Sequence, residues 1–239
     1  MKTIALVIAG GVGSRMGSKT PKQFILVDNK PVIIYTLEDF QKHPSIDAIE
    51  VVCVHGWEKK LEAYAKKYKI TKLKWIVEGG KTGQESIRNG IYNLKSVCKS
   101  DDVVIVHDGI RPIVDTYVIS SVIEVCKKKG NGVTSLPYNE QIFVIKNNES
   151  TKKYIPRETL RRVSTPQAYK YGKLLWAYKT AFKKKIGIYG SSYTNTMMVD
   201  LGETLYFAKG SDKNIKLTTP DDLIIFKGYL NIKNRGKNK

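Results

Sequence analysis

Cysteine and acid are both scarce in this sequence. Its three cysteines, Cys53, Cys98 and Cys126, are odd in number, scattered and without metal-ligand spacing. That pattern excludes a disulfide framework and a cysteine metal centre, and it fits a reducing cytoplasm. Cys53 and Cys126 lie in apolar segments and read as buried thiols. No apolar run reaches the length of a membrane helix. Met1-Lys2-Thr3 leads into a core strand, so no signal peptide is expected. Internal repeats and linker-like stretches are also missing, so a single domain is expected over residues 1–232, followed by a basic, disordered tail at 233–239.

Acidic residues number 22 against 41 lysines and arginines, for a net charge of +19. Such a balance raises the question of a nucleic-acid partner. The distribution argues against one. Lysines are spread over the helices at positions such as Lys59, Lys66, Lys127 and Lys183, while arginine, the better bidentate reader of phosphate, is scarce. A solvated basic surface that steers anionic substrates is the expected reading, with no nucleic acid and no membrane as partner.

What is present is an alternation of strands and helices. Strand Thr3 to Ile8 is followed by a helix from Val32 to Phe40, with Pro31 at its start. Strands at 50–55, 74–77, 103–107 and 132–136 alternate with helices at 58–67, 85–94 and 117–129. The rhythm predicts an α/β fold: a Rossmann-like, three-layer, mostly parallel sheet with helices on both faces. It breaks at Pro137. Ile142 to Lys146, a turn at Asn147-Asn148 and Lys152 to Tyr154 read as a hairpin projecting from the sheet, an arm at about 138–160. Such an arm commonly meets a second subunit, so a homodimer is expected. Helices return at 173–182 and near 194–199, then a strand at 205–208 and a last helix opened by Pro220-Asp221-Asp222.

The first strand runs into Ala9-Gly10-Gly11-Val12-Gly13-Ser14-Arg15-Met16-Gly17. Glycines at the carboxyl end of a buried strand let backbone N–H groups face a polyanion. Arg15 and, shortly after, Lys22 in Pro21-Lys22-Gln23-Phe24 add two cations, which suggests a phosphate chain. A dinucleotide fingerprint fails here, because its third glycine position is Met16 and the second strand ends in Val54-His55-Gly56 instead of near an acid. A P-loop fails as well, since Gly17-Ser18-Lys19-Thr20 holds one residue too many. The pieces instead suit a nucleotidyltransferase that wraps glycine amides and cations around a nucleoside triphosphate.

Three further motifs follow in order: Val106-His107-Asp108-Gly109-Ile110-Arg111-Pro112, Thr165-Pro166-Gln167, and Asn214-Ile215-Lys216-Leu217-Thr218-Thr219-Pro220-Asp221-Asp222. With the two N-terminal motifs, the chain from Ile4 to about Leu230 resembles the cytidylyltransferases acting on methylerythritol phosphate or ribitol phosphate. The resemblance implies transfer of a cytidylyl group from CTP to an alditol phosphate, by in-line attack on the α-phosphorus with loss of pyrophosphate. No covalent intermediate is needed, in keeping with the lack of a nucleophile–base pair.

By the same resemblance Arg15, Lys22 and Lys216 stabilise the triphosphate and transition state. Ala9, Gly10, Gly11 and Gly13 approach the nucleotide, as do Gly80, Ser86, Asp108 and Gly109. Asp108, Arg111, Arg157 and Thr194 serve the acceptor, Arg157 by reaching into a partner subunit, with Arg161 and Arg162 as rivals for that role. Mg²⁺ or another divalent cation would bridge the phosphates, with Asp108 as its one protein donor. An internal Asp108–Arg111 ion pair is the plainer reading of those two residues. His107 alternates to the other face of its strand and is expected to be structural.

Four departures from the family pattern stand out, and they bear mainly on the acceptor. The opening Ala-Gly-Gly is closer to ribitol-phosphate enzymes than to the Ala-Ala-Gly of methylerythritol enzymes. Gln141 stands where an arm threonine is usual, and Asn195 where an aspartate is usual; Gly83 replaces a common arginine. The expected product is CDP-ribitol, for a teichoic acid or capsule-like polymer. A methylerythritol-phosphate enzyme of isoprenoid synthesis is the nearest alternative, then an enzyme for another alditol phosphate; a basic nucleic-acid-binding protein is the alternative of another class.

Overall fold

The structure is a computed structural model and describes residues 1–11, 20–190 and 193–235. An interior strand of its sheet is β1, Thr3–Ala9, an apolar run buried on both sides. Alternation at a period of two sends Ala5, Val7 and Ala9 to one hydrophobic cluster and Ile4 and Leu6 to the other. β1 pairs in parallel with β4, Ala48–Cys53, and with β6, Val103–Asp108. β5, Leu73–Glu78, joins β4 in parallel and forms one edge of the sheet. β7, Asn131–Pro137, and β11, Phe207–Lys209, are parallel to each other at the opposite edge.

Helices cover both faces as expected. α1 (Val32–Lys42), α2 (Glu58–Lys67) and α4 (Thr116–Lys129) bury Leu37, Phe40, Leu61 and Ile123 on one face. α3 (Gly83–Asn93), α5 (Tyr171–Lys184) and α6 (Thr194–Asp200) bury Ile87, Leu174, Tyr178 and Met197 on the other. A smaller cluster of Val27, Val32, Leu217, Phe226 and Leu230 seats α7, Pro220–Arg235, beside α1. α7 therefore runs three residues into the segment expected to be tail, while residues 236–239 of that segment lie outside the described residues.

One central strand was missing from the sequence reading. β10, Arg161–Lys170, lies between β6 and β7 and is antiparallel to both, so the seven-stranded order is β11-β7-β10-β6-β1-β4-β5. Its Pro166 follows a cis peptide bond, and the pairing shifts register between Val163 and Gln167. Proline inside a central strand normally argues against one; a local break in register removes the objection. The strand expected at 205–208 is shorter at its start. Asn131 explains this: its side chain accepts from the Tyr206 N–H at 2.9 Å and donates to Thr204 O at 2.8 Å, taking the place of ladder bonds.

The arm is a two-stranded hairpin of β8, Ile142–Val144, and β9, Lys153–Ile155. At its turn the Asn147 side-chain oxygen accepts from the N–H groups of Glu149 and Ser150. A minor hairpin of β2, Leu26–Val27, and β3, Lys30–Pro31, precedes α1. The three cysteines are free, and burial pushes each thiol up to about 12.

Candidate active site

Parallel strands end at one rim of the sheet, where open α/β folds hold their ligands. Ala9 ends β1, and Asp108, in register with Ile8, ends β6. Between and above these ends is a cavity of about 650 Å³. Its walls bring together Ala9, Gly11 and Lys22 from the first motifs, Asp108 and Arg111 from the third, and Thr194 and Lys216 from further along the chain. Gly13 and Arg15 lie outside the described residues. A hollow of equal volume between α2 and β5 contains no motif residue. The motif convergence makes the first cavity the candidate site.

The glycine turn is anchored from beneath. Gln23 is fully buried, and its Nε2 donates to Ala9 O at 2.6 Å and Gly11 O at 3.0 Å. This amide fixes the backbone carbonyls at the start of the glycine motif, at Ala9 and Gly11. The sequence named Gln23 only as part of a motif, without this role. Gly10 sits against the loop after β5: a Cβ there would stand 2.9 Å from Ser86 Oγ and 3.3 Å from Gly79 Cα. At Gly80 a Cβ would fall 2.3 Å from Glu85 Cβ, so both loops depend on close backbone approach.

Ser86 Oγ accepts from the Gly80 N–H at 3.0 Å and donates to Thr82 O at 2.9 Å, while Thr82 Oγ1 caps α3 by accepting from the Glu85 N–H. Gly10, Gly80 and Ser86 thus form the layer behind the cavity wall. Gly109 is buried there too, with its N–H donated to Ile8 O at 2.8 Å.

The charged centre is Asp108. Its Oδ2 receives Arg111 Nε at 3.0 Å and faces Lys216 Nζ at 3.1 Å. Burial would raise this carboxyl, but Lys216 and then Arg111 outweigh it and hold Asp108 down to about 2. The expected Asp108–Arg111 ion pair is present, and both residues line the candidate cavity. Arg111 also donates to Asn214 O at 2.7 Å, Asn214 Nδ2 donates to Thr165 O at 2.6 Å, and Thr165 Oγ1 accepts from the Asp108 N–H at 3.1 Å. Three distant motifs are thereby closed into one ring of hydrogen bonds.

The Leu217 N–H donates to Ile110 O at 2.9 Å, laying the Lys216 segment along the loop after β6. Asp222 ends that segment. Burial would raise its carboxyl, but N–H donation from Thr219 and Thr218, with the charge of Lys22, lowers it overall.

His107 is fully buried under Phe40, with ring centroids 5.1 Å apart, and its Nε2 is 3.3 Å from Arg111 O. Burial lowers it to about 4, so it is neutral near pH 7 and structural, as alternation predicts. Arg157 is outside the cavity, on the segment after the arm; it donates to Asn139 O at 3.0 Å and lies 3.5 Å from Glu158. Arg162, its rival, is paired with Asp212.

Lys216 and Arg111 around one carboxylate, with Lys22 on the same cavity wall, suit a polyanion better than a bare cation. Asp108 is the one carboxylate among the described residues lining this cavity, and so the residue there with the chemistry to hold a divalent ion. Elsewhere on the surface His55, Glu58 and Glu78 bring ligand atoms within 4.8 Å of one another, apart from every motif. Among the described residues no helix is long and apolar enough to cross a membrane.

The profile of the 2-C-methyl-D-erythritol 4-phosphate cytidylyltransferase (IspD) family matches residues 3–232. Over 95% of its length the chain is 58% identical to the ribitol-5-phosphate cytidylyltransferase of Lacticaseibacillus paracasei, covering 97% of that protein. Identity to the 2-C-methyl-D-erythritol 4-phosphate cytidylyltransferase of Clostridium acetobutylicum is 38%, over 92% of this chain and 93% of that one. A solved 4-diphosphocytidyl-2C-methyl-D-erythritol synthase superposes with a TM-score of 0.79 at 22% identity, over 96% and 98% of the two chains, which fixes the fold.

Proposed function

The chain belongs to the IspD family of CTP-dependent cytidylyltransferases, and from that premise we propose that it makes CDP-ribitol from CTP and ribitol 5-phosphate. The family reaction joins a phosphate oxygen of the acceptor to the α-phosphorus of CTP while the bond to pyrophosphate breaks. Two polyanions must be brought together and held in line, and the charge that builds on the leaving pyrophosphate must be neutralised.

The observation that supports this reading best is the convergence of Lys22, Arg111 and Lys216 on one cavity beside a glycine turn. In it, Lys22 and Lys216, with Arg15 by resemblance, face the triphosphate. Asp108 keeps the Lys216 ammonium and the Arg111 guanidinium fixed in place, so little reorganisation accompanies the reaction. Mg²⁺ would add charge neutralisation when bound, with Asp108 as the residue that would hold it. The choice of ribitol rests on 58% identity to a ribitol enzyme against 38% to a methylerythritol enzyme, together with the Ala-Gly-Gly opening.

The arm exposes Phe143, Val144, Ile145 and Tyr154, an apolar set too large for a free hairpin and suited to a second copy of the chain. A homodimer with Arg157 acting across the interface belongs to this reading, as does a cytoplasmic location. Pyrophosphate release with CTP tests the whole. Ribitol 5-phosphate should turn over with the highest kcat/KM in a panel that includes 2-C-methyl-D-erythritol 4-phosphate. Preference for the latter would replace the acceptor and leave the nucleotide site standing. Light scattering should give the mass of two chains.

A further inference from the structure

We propose that Tyr178, a core residue behind the cavity, fixes the polarity of Thr194, so that Thr194 accepts a hydrogen bond from an acceptor hydroxyl and does not donate to its phosphate. This rests on the alditol-phosphate reading above. Thr194 opens α6 and lines the cavity, as does Gln84 on α3. Tyr178 on α5 stands behind both, fully buried, with its hydroxyl 2.8 Å from Gln84 Oε1 and 2.8 Å from Thr194 Oγ1.

The direction of each bond follows from counting protons. Gln84 Nε2 donates to Gly187 O at 2.7 Å; a reversed amide would set two oxygens against each other there. Gln84 Oε1 is therefore the atom facing Tyr178, and it can only accept. That takes the single phenolic proton, which burial holds firmly on the oxygen by raising the phenol well above its ordinary range. Tyr178 can then only accept from Thr194, so the threonine proton points away from the cavity. What Thr194 has left for a ligand is lone pairs. An ionised phosphate oxygen cannot meet them, whereas an alditol O–H can. Tyr178 and Gln84 are thus positioning residues that tie α3, α5 and α6 together and give Thr194 its discriminating role.

Steady-state kinetics of Tyr178→Phe, Thr194→Val and Thr194→Ser test this, with ribitol 5-phosphate and its monodeoxy analogues as acceptors. Tyr178→Phe should raise the acceptor KM by about five- to tenfold, the size of one lost neutral hydrogen bond, and leave the CTP KM within about twofold. One monodeoxy analogue should lose about tenfold or more in kcat/KM with the wild-type enzyme and far less with Tyr178→Phe. Thr194→Ser should keep that discrimination, and Thr194→Val should lose it.

Equal rises in both KM values, or a Tyr178→Phe enzyme as selective across the analogues as wild type, would overturn the proposal. A wild-type enzyme inactive on every alditol phosphate would overturn the acceptor reading instead. In that event urea unfolding still decides the hydrogen-bond chain: the Tyr178→Phe/Thr194→Val double variant should have the midpoint of the worse single variant, and additive losses would refute the chain.

Discussion

Lys216 Nζ stands 3.1 Å from Asp108 Oδ2, joining the end of a central strand to a segment more than a hundred residues later. The same oxygen holds Arg111, so one carboxylate sets the position of two cations on the cavity wall. Replacing Lys216 or Lys22 with alanine should lower kcat by about a hundredfold or more, as expected for a lost preorganised charge. The fold should survive both changes, as circular dichroism would show. Near-normal turnover in both variants would remove these residues from the reaction.

Gln23 supports the glycine turn through two donated hydrogen bonds. Gln23→Leu keeps the side chain's bulk and leaves two carbonyls without their donor. The CTP KM should rise by about tenfold, with a smaller change for the acceptor, in a two-substrate kinetic analysis. A change confined to the acceptor would contradict the placement of the triphosphate over this turn.

Gly80 and Gly83 lie three residues apart and should respond oppositely to alanine. At Gly80 the new Cβ would meet Glu85 Cβ at 2.3 Å and its backbone carbonyl carbon at 3.0 Å, whereas at Gly83 it meets nothing within 4 Å. Gly80→Ala should therefore be destabilising, by roughly 1–3 kcal/mol as for other overpacked sites. Gly83→Ala, in the first turn of α3, should be neutral or slightly stabilising. Urea denaturation midpoints check both.

Glu50 is fully buried in β4; Asn93 Nδ2 is 3.3 Å from its Oε2, and its Oε1 has no hydrogen-bond partner among the described residues. Burial pushes its carboxyl up to about 8. A folded-state pKa above the unfolded one favours the folded, protonated protein below about pH 4.5, and that contribution fades as pH rises through about 8. Wild type should lose stability between pH 5 and 9. Glu50→Gln should abolish that slope, leaving the variant on the order of 4–5 kcal/mol more stable than wild type at pH 9. Parallel pH profiles for the two proteins would show that Glu50 is ionised in the fold.

Arg157 offers a test of the second subunit's part. Arg157→Ala should raise the KM for the acceptor by about tenfold and that for CTP by much less, if its guanidinium serves an acceptor phosphate. Equal effects on both would count against that role.

The layers were legible in the sequence because β1, β4 and β6 are largely apolar and α1 to α5 show clear helical spacing. β10 was not. Arg161, Arg162, Ser164 and Thr165 give it a loop's composition, and Pro166 breaks the pattern that would have marked a central strand. Asp108 and Arg111 could be read because they follow a buried strand at the rim where such sheets hold ligands, and Lys216 because its motif carries the family resemblance. Tyr178 and Gln84 could not, since a buried tyrosine on a helix looks the same whether its hydroxyl meets another core group or a cavity wall. Only the distances between α3, α5 and α6 reveal that connection.

β10 also sets how the arm and the cavity are related. The strand leaves the hairpin, enters the middle of the sheet, and presents Thr165 to both the Asp108 amide and the Asn214 side chain. Mechanical load applied to the hairpin therefore has a single continuous backbone to travel along before it reaches the floor of the pocket. A neighbour gripping that hairpin would be pulling on the strand that braces Asp108 and Asn214 at the edge of the candidate cavity.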